Sequence, residues 1–327
     1  MKLPILLLGV AFGALALVPS TSPAAPKKLL VVNQIGTGGF SHSVIPTSDK
    51  VLMQLAESSQ GLFTVDLLVN PADRPVEPRK PGALKPNATE EQKAAYEKAL
   101  ATYNTEAAAM KPAKDKWEAA CKEGWQKLSA ENLQKYDGVV INNATGVMPF
   151  PDREGFIKWV KSGKAVIGLH AATDCFHNNV WPEYTAMWGG AQFKTHAAQL
   201  PVSCINVDAA HPANKHLGKT LEVPQEEIYQ FNGYDPKTVH ELLVLDKKPD
   251  VKDPAPGHYP ISWCLQYGAG KVFYTSLGHR EDVVSTDPNL KDRKNPVDLS
   301  KAYQAHLLGG IKWALGLEPG DATPQTK

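Results

Sequence analysis

His170 closes an apolar run, residues 165–169, and opens a loop that carries Asp174 four positions on. An imidazole at such a junction can act as general base, general acid or ligand, and a carboxylate that near in sequence can orient it or tune its charge. Similar junctions recur along the chain. Phe40-Ser41-His42 follows Gly36-Thr37-Gly38-Gly39 at the end of the run 29–35, Asn142-Asn143 ends the run 138–143, and His279 follows the run 271–277. His196 comes after the Gly189-Gly190 turn. Glu227 is expected to open a strand over residues 227–231 with Tyr229 on the same face.

If these groups converge, they suit proton transfer next to a carbonyl: a base takes the acidic proton, and an acid or cation stabilises the enediolate. The expected roles are His170 as base or acid, Asp174 as its orienter and Glu227 as second proton-transfer group. His42, His196 and His279, with Tyr229 and Asn143, would bind or polarise substrate oxygens. Three imidazoles and a carboxylate are also a ligand set for a divalent metal, so that cofactor stays open. A nucleotide cofactor is not expected, because the first glycine-rich turn is not GxGxxG and no GKS or GKT follows it. No GxSxG elbow occurs and no cysteine stands at the strand-to-helix position, so no serine or cysteine nucleophile is expected.

Strands and helices must alternate to position these residues. Apolar runs at 29–35, 63–69, 138–143 and 165–170 read as strands buried on both faces, the mark of a parallel sheet between helices. Between them, Thr47 or Ser48 is expected to cap a helix with the face Val51, Leu52, Leu55, and another helix starts near Pro151 and stops at Gly163. The second half is richer in strands, with candidates at 200–207, 227–231, 241–245, 261–267 and 271–277. A closing helix capped by Ser300 carries Tyr303, Leu307, Ile311 and Leu315 at helical spacing. Residues from about 71 to 128 interrupt this order. A proline-rich start and two Ala/Glu/Lys-rich stretches, 89–110 and 114–128, predict one or two inserted helices. Ligands of such a sheet bind at the carboxyl ends of the strands, where three successive junctions deliver polar groups.

The remaining sequence bounds the setting. Lys2, the apolar stretch 3–18 and Ser22-Pro23-Ala24 fit a secretory signal cleaved after Ala24, which predicts a secreted or periplasmic domain over residues 25–327. No later run is long enough to span a membrane. Lys+Arg 35 against Asp+Glu 34 leaves a net charge of +1, with no basic footprint for nucleic acid or anionic membrane. Cys121, Cys175, Cys204 and Cys264 are widely spaced without CxxC, so they are either buried thiols or one or two disulfides. A homo-oligomer is compatible with all of this.

Several segments, in order, resemble the ThuA-like (trehalose utilisation) family. Gly168-Leu169-His170-Ala171-Ala172-Thr173-Asp174 resembles its GxHAATD segment, and Gly189-Gly190-Ala191-Gln192-Phe193-Lys194-Thr195-His196 resembles GGxFxxH. Phe40-Ser41-His42, His211-Pro212, Glu226-Glu227-Ile228-Tyr229 and the stretch from Pro260 to His279 are similar to further family segments, with Glu226 where Asp is usual. The resemblance implies a flavodoxin-like α/β fold of the class I glutamine-amidotransferase type, mostly parallel, that has lost the amidotransferase cysteine. It implies a small-molecule carbohydrate as partner and a role in sugar catabolism, often beside oxidoreductases that make 3-keto sugars. An exported enzyme acting on a keto sugar or 3-keto-glycoside, by hydrolysis, elimination or isomerisation, is the leading expectation. A non-catalytic carbohydrate-binding or scaffold protein is the alternative.

Overall fold

The computed structural model describes residues 25–70, 73–76, 78–250 and 252–325, so the expected export signal at 1–24 lies outside the described residues. Among the described residues, β1 (Lys27–Val32), β2 (Phe63–Leu67), β3 (Gly138–Asn142), β4 (Ala165–Leu169) and β11 (Gly270–Thr275) pair in parallel. The sheet then continues antiparallel through β10 (Pro256–Tyr267), β9 (His240–Lys247), β6 (Leu200–Asn206) and β7 (Thr220–Glu226). The order is β2-β1-β3-β4-β11-β10-β9-β6-β7, and β5 (Gln192–His196) with β8 (Tyr229–Asn232) forms a separate antiparallel pair. The fold is thus α/β with a mixed sheet, parallel on one side and antiparallel on the other.

Alternation along each strand feeds a core on either face. Leu29 and Val31 pack with α1 (Ile45–Ser58), α6 (Glu281–Val284) and α7 (Val297–Ala314), whereas Leu30 and Val32 face α4 (Arg153–Lys161) and α5 (Pro182–Met187). A run that is apolar at every position is what two covered faces require.

Three expected helix starts shift. Neither Thr47 nor Ser48 caps α1; the helix begins at Ile45, with Pro46 in its first turn, where a missing N–H leaves no bond unmade. Asp152 caps α4 by accepting from Gly155 N at 2.7 Å, so Pro151 stands before the helix. Ser300 lies inside α7 and donates to the Asp282 carbonyl at 2.7 Å, while Tyr303, Leu307 and Ile311 are buried as the stripe requires. The two Ala/Glu/Lys-rich stretches form one helix, α2 (Glu90–Trp125), opened by a Thr89–Gln92 capping box. It runs through Pro112, beside residues exposed to solvent that can hydrate the freed carbonyl. Only its end is buried: Gly124 lies so close to the chain that an added Cβ would meet the Leu68 carbonyl at 2.5 Å.

Two strands were not expected from the sequence. β5 is polar and mostly exposed, and β7 is the sheet edge, where Pro224 falls in a shift of register against β6. Glu227, expected to start a strand, instead sits between β7 and β8.

Candidate functional site

The carboxyl ends of the parallel strands carry the site. β4 ends at Leu169, and His170 turns away with φ +42; β3 ends at Asn142, and Asn143 turns with φ +52. Both are left-handed conformations that side-chain-bearing residues adopt at a cost, held here by the surrounding packing. His42 comes from the loop between β1 and α1, His279 from the loop after β11, and Glu227 from the β7–β8 junction.

These chain-distant residues meet. The rings of His42, His170 and His279 form a near-equilateral triangle, with centroids 5.3, 5.4 and 5.0 Å apart. Glu227 Oε1 stands 3.5 Å from His170 Nε2 and 3.4 Å from His279 Nδ1. Its Oε2 lies 3.1 Å from Nδ1 of His196, a half-exposed residue at the rim whose Nδ1 also lies 2.9 Å from the Ala197 carbonyl. The four residues His42, His170, Glu227 and His279 offer ligand atoms all within 4.8 Å of one another. His196 stands outside that set.

Hydrogen bonding decides what each ring can do. His170 Nδ1 lies 2.7 Å from the Ser276 carbonyl, an acceptor, so Nδ1 carries the hydrogen and Nε2 presents a lone pair to the cluster. Burial lowers the His170 pKa to about 3, and burial with the neighbouring His170 lowers His42 and His279 to about 4 each. The imidazoles are therefore neutral. His42 Nδ1, His170 Nε2 and His279 Nδ1 are buried without a hydrogen-bond partner. Tyr229 packs its ring 4.2 Å from that of His170, and Asn143 is fully buried, its Oδ1 also unpartnered.

Asp174 does not orient His170. It pairs with His177, three residues on, and burial pushes its carboxyl upward. The Ser276 carbonyl holds His170 instead, from 106 positions away. Sequence reasoning missed His177, Ser276 and Glu226. Glu226 is fully buried and accepts from Glu227 N at 2.8 Å and Gly278 N at 3.1 Å, tying together the two loops that carry Glu227 and His279. Burial pushes its carboxyl up to about 8 against these backbone donors. Beneath the site, Asp49 accepts from Asn33 and Asn142 at 2.7 and 2.8 Å, fixing the ends of β1 and β3 to α1. The sequence signals for these supports were polar residues inside or beside apolar runs and, for Glu226 and Ser276, their place in family-like segments.

Two cavities reach the His42 loop. One, about 650 Å³, is lined by Ser41, Arg74 and Trp117 among others, and the other, about 230 Å³, by Ser43, His279 and Arg280. Among the described residues all four cysteines are free; Cys175 is buried, with its thiol pushed up by burial and donating to the Ala144 carbonyl at 3.0 Å. Among the described residues no helix is long and apolar enough to cross a membrane.

No curated protein matches the chain. Among solved structures, a ThuA-like protein from Bacteroides uniformis superposes with a TM-score of 0.55 at 17% identity, covering 91% of this chain and 95% of the other. A second, from Parabacteroides merdae, gives a TM-score of 0.54 at 17% identity, covering 89% and 90%. At such identity they share the fold. The family model described as ThuA, trehalose utilisation, matches residues 28–314, nearly the whole described chain, and the protein belongs to that family.

Proposed function

We propose that this protein is an exported enzyme of carbohydrate catabolism that acts on a keto sugar or 3-keto-glycoside by proton transfer. The observation that carries the reading is the meeting of Glu227 with three neutral imidazoles at the strand ends, where an α/β sheet binds its ligands. The family supports a carbohydrate-related role. A keto sugar has an acidic C–H beside its carbonyl. Glu227 is the base that takes this proton, and the electron pair moves onto the carbonyl oxygen or expels the group at the adjacent carbon. His196, against Glu227 Oε2 and half exposed, passes the proton between the site and solvent. His170 presents a lone pair at Nε2 and not a proton, so it is not the general acid, because its hydrogen is on the Ser276 side. Tyr229 braces the His170 ring, and Asn143 braces the His42 loop.

The test is turnover of a panel of 3-keto-glycosides and free keto sugars by the purified protein, followed by product analysis. Turnover that disappears in Glu227→Gln supports the reading. Sugar binding without turnover across the panel would sink it and leave a binding protein. Residues 1–24 are read as the export signal, and the N-terminal sequence of the secreted protein should begin at Ala25.

A further inference from the structure

We propose that His42, His170, His279 and Glu227 together hold one divalent transition-metal ion. The proposal rests on the cluster itself and not on which sugar, if any, is turned over.

Buried polar atoms are normally paired, and each exception calls for a physical account. Here three exceptions, His42 Nδ1, His170 Nε2 and His279 Nδ1, belong to the same four-residue group. Two of them face a single carboxylate oxygen outside hydrogen-bond geometry: Glu227 Oε1 is 3.5 and 3.4 Å from His170 Nε2 and His279 Nδ1. Four donors held at about 2.0–2.2 Å from one ion in a tetrahedron lie about 3.3–3.6 Å from one another. The Glu227 contacts already meet that spacing. The widest separation, within 4.8 Å, requires a small inward movement.

The second layer is built as a ligand needs it. A metal-bound histidine usually donates its other N–H to a carbonyl or carboxylate, which fixes tautomer and ring orientation. His170 makes that bond to Ser276. Glu226 clamps the backbone of both Glu227 and the His279 loop, so two ligands on separate elements are held in one frame. The donor set is three nitrogens and one oxygen, which suits zinc and other first-row ions rather than calcium or magnesium, whose shells are oxygen. A bound ion there would polarise a substrate carbonyl or hydroxyl as a Lewis acid.

Purified protein is stripped with a chelator and titrated calorimetrically with Zn²⁺ alone, and separately loaded with Co²⁺ for its visible spectrum. The expected result is one ion per chain and the intense absorption of a four- or five-coordinate Co²⁺ site. Loss of an outer-layer partner alone weakens such sites by about 10–100-fold, so Glu227→Gln and His279→Ala should lose at least that much affinity. His216→Ala, at a histidine that lies outside the four-residue group and bonds the Ala302 carbonyl instead, should lose none. No stoichiometric binding, binding that survives both ligand changes, or only the pale spectrum of hydrated Co²⁺ would overturn the proposal. The wild-type spectrum decides the matter even if the histidine variant does not fold. Turnover in a protein that binds no ion in the titration would leave the proton-transfer reading standing and remove the metal. A bound ion without turnover would do the reverse.

Discussion

Two regions of this protein bury histidines, and they bury them differently. In the first, His42, His170 and His279 keep ring nitrogens without partners around Glu227. In the second, His211, His240 and His306 lie behind the antiparallel side of the sheet with their ring nitrogens engaged. His240 Nδ1 meets the Thr323 carbonyl at 2.8 Å and its Nε2 meets Asp208 at 2.9 Å. His306 Nδ1 meets the Ala213 carbonyl and its Nε2 meets Ser262 Oγ, both at 3.1 Å. His211 accepts from Ala213 N at 3.2 Å and faces the Cys264 thiol at 3.7 Å. Both groups are desolvated, so burial alone does not mark a site. What separates them is satisfaction: a closed hydrogen-bond network stabilises a fold, whereas converging lone pairs leave something to bind.

This contrast breaks most visibly at Glu227. Glu227→Gln should lower kcat by about 10²–10⁴-fold, the usual weight of a general base, with little change in thermal midpoint. An inactive protein that has also lost its fold would place Glu227 with the structural group. Glu226→Ala comes next. It releases the loops that aim Glu227 and His279, and a displacement of about 1 Å can cost up to about 100-fold in rate. The loss should fall on kcat more than on KM, and Glu226→Gln should restore part of it.

The second group should answer in stability instead. His306→Ala removes a fully buried ring and takes one hydrogen-bond partner each from Ser262 Oγ and Asn214 Oδ1, for about 2–3 kcal/mol in denaturant melts. Turnover per folded molecule should not change; a matching fall in kcat would join the two regions. Its pH response sharpens the point. Burial lowers His306 to about 3 and His211 to about 4, below the ordinary 6.5 of the unfolded chain. Between those values the unfolded state binds protons that the folded state refuses, so stability is present above pH 6.5 and is lost as pH falls toward 4 and 3. Melting curves over this range should show the slope, to which His42, His170 and His279 contribute as well, and His306→Gln should remove one histidine's share of it. The smallest effect is at Cys175. Its thiol is buried beside the Ala144 carbonyl and is not among the four clustered residues, so Cys175→Ala should leave turnover intact at a modest cost in stability. Abolished turnover with an unchanged fold would make it part of the site.

Much of the frame was legible because β1, β3, β4 and β11 are buried on both faces and therefore read as unbroken apolar runs. The junctions after them could be found for the same reason, and with them His42, His170 and His279. β7 could not be found so easily. It is an edge strand with half its side chains in water, and its alternation breaks just after Pro224, at Gln225. Likewise the stretch that forms α2 is compatible with one helix or two on sequence, because Pro112 is a breaker in a buried helix but is tolerated in an exposed one.

Local apolar runs, turn residues and ring-bearing motifs were enough to establish the strand ends and the identity of the groups placed there. Their partners were decided only in three dimensions. Asp174, four residues from His170, went to His177, and a carbonyl 106 positions away took His170 Nδ1. Which ring nitrogen is tied off and which is left free depends on the register of β4 against β11 and on the loop that follows each. Hydrogen bonds are chosen by distance and direction in the folded chain, and sequence separation carries neither.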